Sequence, residues 1–233
     1  MKKKLQVSET LYLGVILALS GGFMDAYSYL FRGEVFANAQ TGNMLLLGVH
    51  LAELDFHGAF YYFCPVFAFA AGIILSDIVN HRHPKEHWLH WRQVAILVEA
   101  LVLLAVAFFP QSSNLAANSL TSLVCGIQVE SFRKIHGNGI ATTMCIGNLR
   151  SGLQNFSDFL FTKERKSLKK SIIYFSIIFS FIAGAVAGSF VIGLLQTKAI
   201  LICTMFLIVV FILMFFNDEE DDETEPLDEN IGD

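Results

Sequence analysis

The sequence of 233 residues is 54% apolar and 16% charged, and it contains 22 phenylalanines. Because a soluble domain carries about 25% charged residues, this composition excludes an ordinary soluble domain and indicates an integral membrane protein. The net charge of −5 comes from the C-terminal end, since ten of the 21 acidic residues lie in 218–233. Residues 1–217 keep 16 basic and 11 acidic residues, a net charge of +5.

Six apolar runs are long enough, or nearly so, to cross a hydrocarbon core that requires about 20 helical residues. The first run begins at Leu11, behind Lys2–Lys4, and extends to Phe31. It lacks an A-x-A cleavage signal, so we interpret it as a retained span and not as a signal peptide. The other runs occupy residues 58–80, 93–109, 114–132, 171–196 and 199–216, of which 93–109 is short.

Two further segments, residues 35–52 and 139–161, are ambiguous, because each starts apolar, reaches a Gly-Asn pair and then becomes polar. They could be full spans, giving eight, or broken, re-entrant or interfacial helices, leaving six. Lys and Arg concentrate in cytoplasmic loops, and six spans put 14 of the 16 basic residues inside, all except Arg32 and Lys198. The sequence therefore predicts an all-α membrane protein with six transmembrane helices, two broken or re-entrant helical segments and both termini in the cytoplasm.

A repeated glycine pattern divides the chain into two halves. Gly22 lies eleven residues before Gly33, Gly126 lies eleven before Gly137, and a Gly-Asn pair follows in both copies. Three spans per half is an odd number, so the second half would cross the membrane in the opposite sense, as an inverted-topology repeat. The predicted units are a first membrane repeat (1–110), a second membrane repeat (111–217) and a disordered acidic cytoplasmic tail (218–233).

Inverted repeats place their ligand sites near the midplane, at the interface of the halves and beside broken helices. An acid inside an apolar span is a functional-site hypothesis, and amides at broken segments could bind a ligand or the freed backbone groups. The candidates for substrate binding or proton coupling are Asp25, Gln40, Thr41, Asn43, Glu99, Gln128, Glu130 and Asn148. The glycines expected to allow close backbone approach are Gly22, Gly42, Gly126 and Gly147.

The three acids also have simpler explanations. Asp25 could make a structural hydrogen bond to a neighbouring helix end, although an acid disfavoured as an ion in an apolar span could also exchange protons or, if ionised, bind a cationic solute. Glu130 could pair with Arg133 or Lys134, at i+3 and i+4. Glu99 could reach the interface instead of lining a cavity. The Gly-Asn pairs themselves could reflect tight helix packing alone.

The sequence predicts no metal site and no cofactor. The four cysteines stand singly in apolar runs, without metal-ligand spacing. Four histidines, His81, His83, His87 and His90, share one loop but lack a Cys or Glu-x-x-His frame. Ser180, Gly184 and Gly188 form a row of small residues that favours packing within the protomer, with a homodimer as the minor alternative.

Two charged segments suggest partners of different kinds. Lys163–Lys170 is a basic segment next to a span and would attract anionic lipid at about 1 kcal/mol per charge. The tail 218–233 is a solvating or protein-contacting extension. We therefore expect membrane lipids and a small solute as partners, and no nucleic acid.

The motifs resemble those of the YoaK family of bacterial membrane proteins of unknown function. The resemblance is strongest over Gly22–Ala26 (GFMDA), Ala37–Asn43 (ANAQTGN), Gly126–Gln128 (GIQ) and Ala141–Asn148, and it covers nearly the whole chain except the tail. Two departures fall in the second half: Val129-Glu130 replaces an expected Asn-Ala, and Ile146 precedes Gly147 where Thr-Gly is usual. The resemblance implies the bacterial plasma membrane as location and implies no activity.

Three classes of function remain. A small-solute transporter or channel explains the paired halves, the intramembrane acids and the polar broken segments. A non-transporting scaffold or accessory subunit is the alternative, supported by the charged tail. A membrane enzyme is less expected, because H-E-x-x-H, G-x-S-x-G and paired catalytic acids within one loop are missing from the sequence.

Overall fold

The structure, a computed structural model, describes residues 10–82 and 90–216 and is built almost entirely of helices. In these residues the helices are α1 (Leu11–Phe31), α2 (Gln40–Ala52), α3 (Phe56–Arg82), α4 (Trp91–Val106), α5 (Asn114–Ser131), α6 (Cys145–Thr162), α7 (Arg165–Leu195) and α8 (Leu201–Phe216). A hairpin of β1 (Lys134–Ile135) and β2 (Asn138–Gly139) follows α5. The 3-10 turns Gln111–Ser113 and Gln196–Ile200 precede α5 and α8. Lys2–Lys4, His83, His87 and the predicted tail 218–233 lie outside the described residues.

Several helical segments have the length and composition of membrane spans. Within the described part of the chain these are Leu11–Phe31, Phe56–Arg82 and Arg165–Phe215, the last comprising α7 and α8 with the turn between them. Large apolar side chains also face outward in numbers that a water-soluble surface does not carry; Phe161 and Leu194 are 86% and 83% exposed. These features indicate a membrane location.

The two segments that the sequence left ambiguous, 35–52 and 139–161, contain helices of different length. All six predicted apolar runs are helical, and α2 and α6 occupy the two segments that the sequence left open. The 13 residues of α2 extend about 20 Å at 1.5 Å per residue, which is less than the roughly 30 Å of a hydrocarbon core. Therefore α2 is too short to cross a bilayer by itself.

Glycine pairs bring four helices into close contact, α1 with α7 and α3 with α5. A Cβ added to Gly22 would meet the backbone carbonyl of Phe181 on α7, and one added to Gly184 would meet that of Leu19 on α1. The second pair of helices repeats this arrangement: a Cβ on Gly126 would meet the carbonyl of Phe69, and one on Gly72 would meet that of Leu123. Only glycine permits such approach.

In both pairs the helices run parallel. Gly14 of α1 lies against Ile177 of α7 and Gly188 of α7 against Ala26 of α1. Tyr61 and Asn118, near the starts of α3 and α5, both donate to the carbonyl of Arg32, while Ser76 and Ser131 share a hydrogen bond near their ends.

The remaining helices close the other side of the bundle, where α4 packs on α8, α8 contacts α1, and α4 contacts α5. The guanidinium of Arg32, one residue after α1, is fully buried there. It donates to the carbonyl oxygens of Val106 and Phe109, at 3.1 and 3.0 Å, and to the hydroxyl of Tyr27 at 2.9 Å. Since the last carbonyls of a helix lack partners within it, Arg32 caps α4 and fastens α1 to its end.

Two connections return from a helix end toward the interior of the bundle. We call residues 32–39, between α1 and α2, the first return segment, and residues 132–144, between α5 and α6, the second return segment. Each reverses direction at a glycine with positive φ, Gly33 at 90° and Gly137 at 73°, where other residues are strained. The glycines that the sequence pairs by spacing thus occupy corresponding turns.

Candidate functional site

The first return segment reaches the middle of α1. The side chain of Asn38 donates to the backbone carbonyl of Gly21 at 3.1 Å, and the hydroxyl of Ser28 accepts from the amide of Ala37 at 3.1 Å. Gly21 is the central residue of the 21-residue α1, about 15 Å from either end. The chain therefore turns back from the C-terminal end of α1 to half its depth before α2 begins.

The second return segment reaches the same level from the other end of α1. A Cβ on Gly14, near the N-terminal end, would touch the side chain of Ile135, while a Cβ on Gly21 would lie 3.1 Å from Cγ2 of Thr143. Asn38 and Thr143 are thus both neighbours of Gly21. The two return segments enter from opposite ends of α1 and meet at its centre.

A cavity of about 850 Å³ lies where they meet. The starts of α2 and α6 line it together with the C-terminal half of α1 and the facing parts of α3 and α7. Its polar lining residues include Asp25, Asn38, Gln40, Thr41 and Thr143, and its apolar walls include Phe69, Ile73, Phe181 and Ala185. The cavity is therefore mostly apolar, with polar groups gathered at the two return segments, as is usual for small-molecule sites.

Asp25 links α1 to the first return segment at the cavity wall. Its side chain is buried, and Oδ1 accepts from the amide of Asn38 at 2.7 Å. The carboxylate therefore lies at the start of α2, where unpaired amides and the helix dipole favour a negative charge. This contact is the helix-end hydrogen bond of the simpler explanation, yet Asp25 also lines the cavity.

Gln40 and Asn43 form a hydrogen-bond network that holds the start of α2. Asn43 accepts from the amide of Phe36 at 3.0 Å, donates to its carbonyl at 2.7 Å, and donates to Oε1 of Gln40 at 2.8 Å. Gln40 donates to the carbonyl of Ala37 at 2.8 Å and to the hydroxyl of Ser122 on α5 at 3.3 Å. Asn43 thus satisfies backbone groups of Phe36 before the start of α2, while Gln40 connects the first return segment to α5.

Glu99 and Gln128 form a second polar cluster, away from the cavity lining. Both side chains are fully buried. In the carboxamide orientation that satisfies its neighbours, Gln128 donates to the two carboxyl oxygens of Glu99 at 2.7 and 3.3 Å and accepts from the hydroxyl of Thr142 at 3.2 Å. Because Thr142 precedes Thr143, this cluster connects Glu99 on α4 with the second return segment.

Glu130, Asn148 and Thr41 have more local surroundings. Glu130 forms an ion pair with Arg133 at 3.1 Å, the i+3 partner that the simpler explanation names. Asn148 donates to the carbonyl of Ala141 at 2.7 Å, as Asn43 does to that of Phe36. Thr41 lines the cavity in the first turn of α2.

The four glycines expected to allow close backbone approach fall into two kinds. Gly22 and Gly126 lie at the helix crossings described above. In contrast, a Cβ on Gly42 would meet the ring of Phe36 at 2.7 Å, and one on Gly147 would meet nothing within 4 Å. Close approach of a neighbouring backbone therefore occurs at Gly22 and Gly126 but not at Gly42 or Gly147. Gly184 and Gly188 pack on α1 within the same chain.

Three residues at the site or its support did not emerge from the sequence as candidates. Asn38 and Thr143 lie inside the ANAQTGN stretch and its echo, so aligning the two copies residue by residue would have drawn attention to them. Arg32 stood out only as an isolated basic residue on the side opposite to most basic charge.

Across residues 10–82 and 90–216, no three His, Cys, Asp or Glu side chains come together as a metal site.

Comparison with known proteins gives a family and no activity. The family described as "Protein of unknown function (DUF1275)" matches residues 13–213. The UPF0700 transmembrane protein YoaK of Bacillus subtilis (strain 168) is 27% identical over 180 residues, which cover 73% of this chain and 79% of that protein. No solved structure matches the chain. The resemblance drawn from the motifs is thereby confirmed.

Proposed function

The chain belongs to the DUF1275 family of membrane proteins, and we propose that it is a transporter or channel for a small solute, with its site in the cavity between the two return segments. The meeting of both segments at Gly21, beside a cavity with polar groups at half the depth of α1, carries this proposal. Irregular backbone at such depth is tolerated in a membrane where it is buried in protein or lines a cavity.

The proposal includes a topology of six spanning helices with α2 and α6 as re-entrant helices, and an inverted repeat of two halves. Three pieces of geometry support it. The corresponding pairs α1 with α7 and α5 with α3 cross at corresponding glycines. The return segments enter from opposite ends of α1. Asn118 of α5 donates to the carbonyl of Arg32 at 2.8 Å, and further along α5 the thiol of Cys125 lies 3.9 Å from the sulfur of Met24, so α1 and α5 run antiparallel.

Reporter fusions test the topology directly. Fusions after Lys85, Lys166 and Asp233 should score cytoplasmic, and fusions near Asp55 and Ser113 should score external, in the plasma membrane of a bacterial host. An external signal at Lys85 would overturn the six-span arrangement and the inverted repeat with it.

We assign solute contact to Asp25 and proton exchange to Glu99. Asp25 lines the cavity, where its carboxyl group accepts a backbone amide hydrogen bond of 2.7 Å and can contact a solute. Glu99 is fully buried and is held by the neutral amide of Gln128. A buried carboxyl group is costly as an ion unless a cation lies beside it. Through Gln128 and Thr142, Glu99 is connected to the second return segment, which borders the cavity, and proton exchange with the cavity would follow that connection.

Transport by the purified full-length chain tests the function. Proteoliposomes are subjected to hyperosmotic gradients of a panel of small solutes, and re-swelling is followed by stopped-flow light scattering, with internal pH reported by pyranine. We expect at least one solute to enter faster than into protein-free liposomes. Glu99→Gln should remove the accompanying pH change, while the matched change Glu34→Gln at an exposed position should leave it intact.

A result without permeation of any solute in the panel, from protein that is folded and correctly inserted, would contradict a transport function. It would favour the scaffold or accessory subunit, for which binding of anionic lipid at Lys163–Lys170 would then be the property to examine. Permeation without a pH change in the wild type and in Glu99→Gln alike would support transport but exclude proton coupling through Glu99.

A further inference from the structure

The acid on the cavity wall has no basic side chain of the cavity lining beside it. Asp25 lines the cavity with a side chain that is 7% exposed, and its hydrogen bond of 2.7 Å comes from the neutral amide of Asn38. In the described part of the chain, the lining includes no Lys, Arg or His. A buried carboxylate is costly unless a cation lies beside it, so a positively charged solute would supply what the cavity lacks.

Aromatic rings flank this acid on both sides along α1. Gly21 and Tyr29 lie four residues before and after Asp25, so the three positions share one face of the helix, about 6 Å apart along its axis. The ring of Phe181 on α7 lies against the first position, with Cε2 3.6 Å from a Cβ placed on Gly21. Tyr29 supplies the other ring, which stacks on that of Phe36 with 4.8 Å between centroids. All three rings line the cavity.

The negative charge of Asp25 also reaches the other return segment. Asp25 acts electrostatically on the thiol of Cys145, the first residue of α6, which lines the cavity where the second return segment ends. A solute bound between the two return segments would therefore lie in the field of one acid. Among the described lining residues, no side chain of opposite charge offsets that field.

The size and the walls of the cavity favour an organic cation over a metal ion. A volume of about 850 Å³ matches a site for a drug-sized molecule. Ca²⁺ and Mg²⁺ take about six to eight oxygen ligands, whereas this lining is mostly apolar and holds a single carboxylate. An organic cation needs one opposite charge, and aromatic rings attract it by cation–π interaction while they cover its apolar part.

From this arrangement, and resting on the transport function proposed above, we infer that the solute is a monovalent organic cation with an apolar body, such as a quaternary ammonium or phosphonium ion. Its charged centre would lie beside Asp25, between the rings of Tyr29 and Phe181. Its apolar body would lie against Phe69 and Ile73 of α3, which line the same cavity. Neutral and anionic molecules of similar shape would lack the contact with Asp25.

Ligands that carry the same three phenyl rings and differ in charge test this inference. Binding of tritiated tetraphenylphosphonium to the purified full-length protein in detergent is measured by equilibrium dialysis, with protein-free micelles as the blank. The competitors are methyltriphenylphosphonium, a cation, triphenylphosphine oxide, which is neutral, and triphenylacetate, an anion. We expect saturable binding, and competition by the cation that is stronger than that of the other two by about tenfold or more.

Two acids of the chain provide a matched pair of variants. Asp25→Asn keeps an oxygen that can accept from the amide of Asn38, but it removes the charge, and it should weaken tetraphenylphosphonium binding by about tenfold or more. Glu34→Gln removes an exposed acid of the first return segment and should change binding by less than about twofold. Thermal unfolding of each variant shows whether it is folded.

Two aromatic residues provide an independent pair, which remains informative if Asp25→Asn does not fold. Tyr29→Leu removes a ring beside Asp25 and should weaken tetraphenylphosphonium binding by about threefold or more. Phe179→Leu changes a residue of α7 that is 66% exposed and does not line the cavity, and it should leave binding unchanged.

The outcomes separate this inference from the transport function. If proteoliposomes transport a neutral or anionic solute while neither phosphonium ion binds, the function stands and the organic cation is excluded. Equal competition by the three ligands, or equal effects of Asp25→Asn and Glu34→Gln, would overturn recognition of charge by Asp25. Binding that depends on Asp25, in protein through which no solute permeates, would support the cation site and contradict transport. Absence of both binding and permeation would contradict both proposals.

Discussion

The two return segments follow corresponding paths but are fixed by unequal numbers of contacts. In the first, Asn43 makes three hydrogen bonds, and Asp25, Gln40 and Ser28 add further links to α1 and α5. In the second, Asn148 makes one bond, to the carbonyl of Ala141, and an apolar residue stands where α1 carries its acid. The shared path therefore depends on the turn glycines and the helix crossings more than on matching side-chain hydrogen bonds.

The largest expected effect tests how the first segment is anchored. Arg32→Met should lower the free energy of unfolding by about 3 kcal/mol or more, because it leaves the buried carbonyls at the end of α4 without donors. Arg133→Met, near the second segment, removes an arginine whose side chain is 63% exposed and should cost no more than about 1 kcal/mol. Unfolding in detergent micelles, followed by SDS titration, gives both values.

Arg32→Lys serves as the control for charge. Lysine cannot reproduce the several directed donors of the guanidinium, so it should recover only part of the loss. Full recovery by lysine would mean that charge alone holds the end of α4. A loss for Arg133→Met as large as that for Arg32→Met would make the two segments equally dependent on arginine and would contradict the comparison.

The next effect tests what the two halves share. Gly22→Ala and Gly126→Ala should each destabilise the protein by about 1–3 kcal/mol, because the new Cβ meets the backbone of the facing helix. Gly48→Ala and Gly193→Ala add a Cβ into open space and should be neutral or stabilising by up to about 1 kcal/mol. Thermal unfolding monitored by intrinsic fluorescence ranks the four variants. Clearly unequal losses at the two crossings would show that the crossings are not equivalent.

Much of this fold followed from the sequence, because apolar runs and glycine spacing act locally. The runs lie in helices within a few residues of the expected bounds, and Gly33 and Gly137, which the sequence pairs by spacing, occupy corresponding turns. The interior of the site did not follow in the same way. Glu130 sits one residue further from its crossing glycine than Asp25 does, and on a helix one residue turns a side chain by about 100°. Glu130 accordingly pairs with Arg133. Which face of its helix an acid occupies depends on how the helices pack, and the repeat spacing in the sequence does not determine it.

A smaller effect separates the two Gly-Asn pairs. Asn43→Ala removes three hydrogen bonds of a fully buried side chain and should cost about 2–3 kcal/mol. Asn148→Ala removes one and should cost about 1 kcal/mol. The SDS titration used for Arg32 measures both. Equal costs would indicate that the second return segment is held by side-chain contacts as firmly as the first. Fewer of its polar side chains would then be free to bind a solute.

The smallest effect concerns the far ends of α2 and α6, where each helix meets the next. Before α3, Asp55 accepts from the amide of Gly58 at 3.0 Å and contacts Nδ1 of His50 at 2.9 Å. The hydrogen bond from the amide of Gly58, together with His50, holds the pKa of the Asp55 carboxyl below its usual value. Before α7, the N-cap residue Glu164 makes no side-chain capping bond, and the hydroxyl of Thr162 accepts from the amide of Glu164 at 3.2 Å.

The direction of the pKa shift sets the expected pH dependence. A carboxyl group whose pKa is lowered by folding stabilises its turn at every pH above the usual value of about 3.9, and this contribution is lost as the pH falls through the lowered value. Hydrogen exchange with labelling at pH 7, 5 and 3, corrected for intrinsic rates, should therefore show unchanged protection of the α2–α3 turn from pH 7 to 5 and reduced protection at pH 3. The α6–α7 turn should show no step. Asp55→Asn should raise exchange at the first turn already at pH 7, and Asp158→Asn, an exposed acid on α6, should not. A loss of protection between pH 7 and 5 would contradict the lowered pKa of Asp55, because the carboxyl group stays ionised throughout that range.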